Sequence, residues 1–353
     1  MIQQVDTEKL TALIDRAVGD LSAGYGGVMV RIGDRLGLYA AMAGAGPLTP
    51  GELAARAGCA ERYVAEWLNA QAAGGYVEYH AVSATYELTA EGAMVLADPE
   101  SPVFVPPAWD VPAAMFLDSD DTIAAFRTGH GVPWGDRHHG LHEGIAGFYR
   151  NAYRTNIAGE WIPALDGVAE TLALGGAVAD VGCGHGHSSV AIAEAFPAAH
   201  VDGIDNHAPS IDAARLHAED AGVTDRVAFT VADAQGYPGR GYDLICFFDA
   251  LHDMGDPEGV LAHAARALAP GGVVMLVEPY AGDRVEDNLN SVGRLYYSAS
   301  TAICLAHGLS EGHEGLGAQA GEARLAEVCR RAGLTKVRRA AATPFNLILE
   351  ARV

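Results

Sequence analysis

The sequence predicts an α/β protein in which a doubly wound sheet follows a smaller helical domain. Three observations predict it. Apolar runs of strand length recur between Ala-rich helical patterns from Ala177 to Glu278. The first run ends in a glycine loop, Gly182-Cys-Gly-His-Gly186, that opens a helix over Ser188–Phe196. Residues 1–97 share neither feature and read as short helices followed by two β runs.

In that N-terminal region, Leu36–Met42 is a short helical segment. Thr49-Pro-Gly-Glu52 reads as a capping box, with Thr49 as the cap, Pro50 at the first helical position and Glu52 reaching back. That helix ends near Ala57-Gly58, and a second covers Glu61–Ala73. Tyr76–Tyr79 and Thr85–Leu88 are β runs joined by His80–Ala84, so the order is a helix-turn-helix with a wing. DNA binding fails on charge. The second helix offers Arg62 against Glu61 and Glu66, the wing adds Glu78 and Glu87, and the whole chain carries a formal charge of -22. Neither nucleic acid nor an anionic membrane is an expected partner. Half of the 353 residues are apolar, yet charged residues break every run short of a membrane span. The early Asp6, Glu8 and Lys9 leave no signal-peptide core, and five cysteines without a CxxC pair suit a reducing compartment, so a cytoplasmic protein is expected.

Residues 98–165 form a connecting segment. Pro102, Pro106, Pro107 and Pro112 keep its start irregular. Trp109, Phe116, Phe126, Trp134, Phe148, Tyr149, Tyr153 and Trp161 are expected mostly in a core, with some facing an acceptor. His138, His139 and His142 lie near Asp136 and Glu143, but no third ligand has a recognisable spacing. A solvated helix face is expected there, and no metal site.

Residues 166–353 carry the chemistry. Glycine suits the loop because a backbone without Cβ turns sharply and admits a ligand to the main chain. Gly182, Gly184 and Gly186 give Gly-x-Gly-x-Gly, whereas a dinucleotide site wants Gly-x-Gly-x-x-Gly and finds His187 in its last slot. No Lys or Arg lies between Ala177 and His207, so a ligand with a ribose and no phosphate fits better than a pyrophosphate. Cys183 reads as packing. Further strands are expected at Val201–Asp205, Phe229–Asp233, Tyr242–Asp249, Leu268–Glu278, Leu334–Ala340 and Phe345–Ala351. Between the fifth and sixth lies an insertion at 281–320, with helical spacing over Arg294–Cys304 and a mobile loop expected over Gly312–Gly321.

Asp180-Val-Gly-Cys-Gly-His-Gly186 resembles the first motif of class I S-adenosylmethionine-dependent methyltransferases. The match continues in order through Asp205, the Ala-Asp-Ala turn at Asp233 and Ala234, Phe248-Asp249 at the end of the fourth strand, and Leu268-Ala-Pro-Gly-Gly272. The resemblance implies a Rossmann-like seven-stranded sheet closed by an antiparallel pair. It also implies a cofactor, S-adenosylmethionine, with S-adenosylhomocysteine as product. By the same resemblance Asp180, Gly182, Gly184, Gly186, Asp205, Asn206, Asp233, Ala234, Phe248 and Asp249 form the cofactor set, with Asp205 on both ribose hydroxyls. His252-Asp-Met-Gly-Asp256 is similar to the His-Asp-Trp-x-Asp stretch of plant-type O-methyltransferases, with Met254 in place of the tryptophan. That similarity implies His252 as general base, and an imidazole titrating near neutrality suits proton removal from a phenol. The relatives' winged-helix domain implies that residues 1–97 pair two copies into a homodimer, 98–165 form a helical substrate-lid segment and 281–320 cover the acceptor. The expected function is methylation of a small aromatic or apolar metabolite at oxygen. The alternatives are an N- or C-methyltransferase with His252 structural, or a non-catalytic cofactor-binding winged-helix regulator.

Overall fold

The computed structural model describes residues 5–312 and 315–353. The chain divides into two compact units. The first runs to Pro112 and takes in Glu143–Asn151; the second comprises Ala113–His142 and Ala152–Val353.

The first unit begins with an element that the sequence reading missed. Helix α1, Thr7–Arg35, is 29 residues long and starts at Asp6, whose carboxylate accepts from the Glu8 and Lys9 amides. Gly27, Val30 and Gly33 of α1 are buried. The Trp109 ring occupies the space where a Cβ on Gly27 would stand, 2.1 Å from its nearest atom, so only glycine admits it. Leu10, Leu13, Ile14, Val18, Leu21, Tyr25, Val28 and Ile32 recur at helical spacing and stay exposed. The glycines at 19, 24, 26 and 27 lower helix propensity in this stretch and hide it from pattern reading.

Helices α2 (Leu38–Met42), α3 (Pro50–Ala57) and α4 (Glu61–Ala73) follow. The capping box is present: Thr49 Oγ1 accepts the Glu52 amide, and the Glu52 carboxylate accepts the Thr49 amide at 2.8 Å. Strands β1 (Glu78–His80) and β2 (Thr85–Glu87) pair antiparallel as the wing, and α5 spans Ala90–Leu96. Val30, Tyr39, Met42, Leu53, Trp67 and Leu68 form the core of this unit. The Tyr39 hydroxyl donates to buried Gln71 at 2.6 Å, which satisfies both polar groups.

The connecting stretch folds into α6 (Asp110–Leu117), α7 (Ser119–Thr128), α8 (His139–Asn156) and α9 (Val168–Ala173). A π-helical turn, Ile157–Trp161, continues α8.

Beyond it, β3 (Ala177–Val181), α10 (His187–Ala195), β4 (His200–Asp205), α11 (Ala208–Asp220), β5 (Val227–Val231), β6 (Tyr242–Phe248), α12 (Pro257–Ala267) and β7 (Leu268–Pro279) alternate as the apolar runs foretell. The insertion contributes α13 (Ser291–Ala299), a π-helical turn at Ser300–Cys304 and α14 (Leu305–Ser310). Helix α15 (Gly321–Arg331) and strands β8 (Lys336–Ala342) and β9 (Asn346–Arg352) end the chain's elements. Residues 313 and 314 of the expected Gly312–Gly321 loop lie outside the described residues.

The seven strands lie in the order β5-β4-β3-β6-β7-β9-β8, parallel from β5 to β7, with β9 antiparallel to both its neighbours. Strand β6 is central, and Ile245, Phe247, Leu276 and Leu349 form part of a core buried on the sheet. The third parallel strand sits two residues earlier than Phe229–Asp233. Asp233 leaves it because its carboxylate accepts the Gln235 amide at 2.7 Å and turns the chain.

Candidate active site

The glycine loop follows β3. Gly182, Gly184 and Gly186 all have positive φ, at 76°, 52° and 74°. A Cβ on Gly182 would stand 2.7 Å from Ala250 Cβ, so glycine there lets the end of β6 approach the loop. A Cβ on Gly184 would meet nothing within 4 Å, so its Cα borders open space. Asp180, at the end of β3, is fully buried. One carboxylate oxygen accepts from the Ser188 and Ser189 hydroxyls at 2.6 Å each, and the other, Oδ1, has no partner. Burial pushes its carboxyl up to about 6 despite those two donors.

Asp205 ends β4 and braces the loop. It accepts the Gly184 amide at 2.9 Å on one oxygen and the His207 amide at 2.8 Å on the other. Each oxygen keeps a second lone pair for a further donor. Burial raises its carboxyl above the ordinary range. Ala232 donates to the Asp205 carbonyl, which places the start of the Asp233–Ala234 turn beside Asp205. Ala234 is half-buried, while the side chains of Asn206 and Asp233 are exposed. Cys183 is buried and its thiol is pushed well above the usual range, as befits packing and not nucleophilic chemistry.

Of the three histidines expected on a solvated face, His139 is exposed, whereas His138 and His142 are half-buried. His138 caps α8 by accepting the Gly140 amide at 3.0 Å. His142 is half-buried, stacked on Trp134 with ring centroids 5.0 Å apart and edge-on to His207 at 4.7 Å. Trp134 donates its amide to His307 Nδ1 at 3.2 Å, and Arg137 donates to the Ala302 carbonyl at 2.6 Å. The segment Val132–His142 is thereby tied to α14 and the π turn before it.

The second half of the site lies past β6. Phe248 is buried, with its ring near Tyr153 and Trp161. Asp249 adopts φ +49°, one of two non-glycine residues among those described with positive φ. Its two oxygens accept from the Tyr153 hydroxyl and from Asn346 Nδ2, both at 2.9 Å. Burial and the nearby Glu278 carboxylate raise it to about 7.

His252 is buried three residues further on. Nδ1 and Glu278 Oε2, at the end of β7, lie 2.6 Å apart, and Nε2 stands 3.1 Å from Asp253 Oδ1. The second contact has ion-pair distance without hydrogen-bond alignment, and Asp253 Oδ1 finds no partner. Burial opposes the imidazolium, but the Asp253 and Glu278 carboxylates outweigh it and hold the His252 pKa well above the ordinary value. The two carboxylates thus favour the protonated ring, a departure in direction from an imidazole titrating near neutrality. Glu278 and Asn346 escaped the sequence reading as site residues, while Tyr153 and Cys304 entered it only as members of the aromatic segment and of the insertion. The sole signal was the acidic end of an otherwise apolar strand at Glu278.

Residues 174–329 match the family described as "Methyltransferase domain", and residues 24–98 match the "Rv2258c-like winged HTH domain". The chain carries a methyltransferase domain behind a winged-helix domain. The chain is 36% identical over 107 residues to 27-O-demethylrifamycin SV methyltransferase of Amycolatopsis mediterranei, covering 30% of this chain and 39% of that protein. Dimethylglycine N-methyltransferase of Parasynechococcus marenigrum is 30% identical over 184 residues, 52% of this chain and 63% of that enzyme. The chain thus spans less than two thirds of these relatives' own length. The solved structure of mitomycin 7-O-methyltransferase superposes with a TM-score of 0.70 at 18% identity, covering 99% of this chain and all of the other. At that identity the likeness is one of fold. No helix among the described residues is long and apolar enough to cross a membrane.

Proposed function

We propose that this chain is an S-adenosylmethionine-dependent methyltransferase that methylates a small, neutral aromatic or apolar metabolite at oxygen, with His252 as general base. The observation that carries the reading is the buried His252–Glu278 pair at the same sheet edge as the glycine loop. Doubly wound sheets bind ligands at that edge.

The residues fit the cofactor. The Gly184 face is open, Asp180 Oδ1 is a buried acceptor without a partner, and both Asp205 oxygens retain a lone pair for a ribose hydroxyl. No cation waits for a phosphate between Ala177 and His207. When bound, the cofactor supplies a methyl group activated by a sulfonium. The protein's share of the work is positioning and proton removal. Tyr153, Trp161 and Phe248 pack as a buried aromatic cluster behind Asp249. In its neutral form His252 takes the proton of an acceptor hydroxyl on Nε2, and Glu278 at Nδ1 offsets the charge that forms.

His252→Asn is expected to lower turnover about 10²–10⁴-fold while leaving cofactor affinity intact. A more acidic phenol, ionised before it arrives, rescues the variant in part. Equal slowing with acidic and non-acidic acceptors would reduce His252 to a positioning role. The partly similar N-methyltransferase and the acidic lining at Asp249, Asp253 and Glu278 favour a second reading, an amine acceptor. Mass analysis of products formed from labelled cofactor with phenols and amines separates the two.

The same reading includes a second copy of the chain as partner. Eight exposed apolar side chains along α1, from Leu10 to Ile32, form a stripe about 33 Å long at about 1.5 Å per residue, more than an isolated helix face leaves in water. Light scattering is expected to give a dimer at micromolar concentration, and Leu13→Glu with Leu21→Glu a monomer. A monomeric parent chain would remove this part of the proposal.

A further inference from the structure

We propose that His252, Asp253 and Cys304 form a binding site for a soft divalent cation, zinc by its chemistry, and that the bound ion occupies the imidazole nitrogen needed for proton removal. The second clause rests on the reading of His252 as general base; the first does not.

Each of the three residues offers a ligand atom, and these atoms lie within 4.8 Å of one another. His252 and Cys304 are buried, and the Asp253 side chain is mostly so. Two features beyond the cluster itself point to a cation. Glu278 Oε2 sits 2.6 Å from Nδ1, and a metal-ligating histidine characteristically gives its other ring N–H to a carboxylate in this way. Asp253 Oδ1 and Glu278 Oε1 are buried without any hydrogen-bond partner, so the cluster holds more carboxylate oxygens than donors to satisfy them. A divalent ion would supply the missing positive charge.

The backbone presents the ligands from fixed positions. Cys304 closes the π-helical turn Ser300–Cys304 between α13 and α14, a distortion frequent at functional sites. The Gly317 amide donates to the His252 carbonyl at 3.1 Å, and the Ala318 amide to Ser300 Oγ at 3.0 Å. One stretch thus ties the His252 turn to the π turn.

The donor set selects the ion. Nitrogen, thiolate and a single carboxylate suit zinc, whereas magnesium and calcium want oxygen alone. Binding replaces the proton on His252 Nε2 and the thiol proton of Cys304, so one ion enters and two protons leave to solvent. Three protein ligands leave the fourth tetrahedral position to water.

Cobalt(II) serves as the probe, because a cobalt–thiolate bond absorbs in the near ultraviolet through charge transfer. Chelator-stripped full-length protein titrated with cobalt is expected to develop that band at one equivalent, and zinc to abolish it. Cys304→Ser, a change of one atom, loses the band. Glu278→Gln weakens binding about 10–100-fold while keeping the thiolate signal at saturation. No band in folded parent protein, or a band of full intensity in Cys304→Ser, overturns the site. Turnover measured with and without zinc is expected to fall in the parent and to fall far less in Cys304→Ser; equal inhibition of both overturns the inhibitory role. A cobalt band in a chain that transfers no methyl group would leave the site standing and sink the methyltransferase reading instead. Transfer without a band would do the reverse.

Discussion

Asp205 at one end of the candidate site and the carboxylates at the other are held in opposite ways. Beside the glycine loop, both oxygens of Asp205 accept backbone amides, from Gly184 and His207. Past β6, Asp249 relies on the side chains of Tyr153 and Asn346, and Glu278 on the His252 ring, while Asp253 Oδ1 and Glu278 Oε1 have no hydrogen-bond partner. A backbone amide is present whatever the residue, so the first end depends on chain geometry. The second depends on side-chain identity at 153, 252 and 346. The lesson is one of division: a fixed ligand is best held by main chain, and a variable acceptor by groups that substitution can change.

The sharpest way to break this contrast is at Gly182. Gly182→Ala forces a Cβ to 2.7 Å from Ala250 at φ +76°, and is expected to cost about 2–6 kcal/mol from strain and overpacking together. Denaturant titration measures the loss, and calorimetry with S-adenosylmethionine is expected to show no binding. Undiminished stability would mean that the loop relaxes freely and that main-chain geometry does not decide this end.

Asp205→Ala tests the same end more gently. It leaves the Gly184 and His207 amides without acceptors, and weakens cofactor binding by about 1.5–3 kcal/mol for the lost charge-assisted bonds. Unchanged affinity in a folded variant would remove Asp205 from the cofactor set.

The smallest effect is expected at the other end, and its sign is opposite. Asp249 titrates near 7 in the fold, above its unfolded value, so its contribution to stability is present below about pH 4 and is lost as pH rises to about 7. Asp249→Asn removes that loss. The variant is expected to be more stable at pH 8 by on the order of 1–2 kcal/mol, less than the full shift because the amide turns one acceptor into a donor facing Asn346. The gap in Tm closes by pH 4. A gap constant with pH would show that Asp249 is ionised throughout.

These contrasts also explain what was legible in the sequence. The loop, Asp205 and the Asp233 turn follow successive strands in chain order, each marked by a glycine or an acid at the end of an apolar run. The succession of strands along the chain and the capped helix at Thr49 were readable for the same local reason. The partners of Asp249 and His252 come from residues 153, 278, 304 and 346, brought together only when the sheet closes and β9 enters between β7 and β8. No spacing announces such a set. Helix α1 was missed for another cause: its apolar stripe points away from the described core, and its glycines dilute the pattern that a core-facing helix shows.

Asp249 carries one more consequence, visible in the genetic code. Its left-handed backbone, φ +49°, admits few residues, chiefly glycine, asparagine and aspartate. Both asparagine and glycine lie one base change from either aspartate codon. The negative charge at the end of β6 can therefore vanish in one mutational step without disturbing the turn, whereas installing a lysine there would take two and leave the backbone strained.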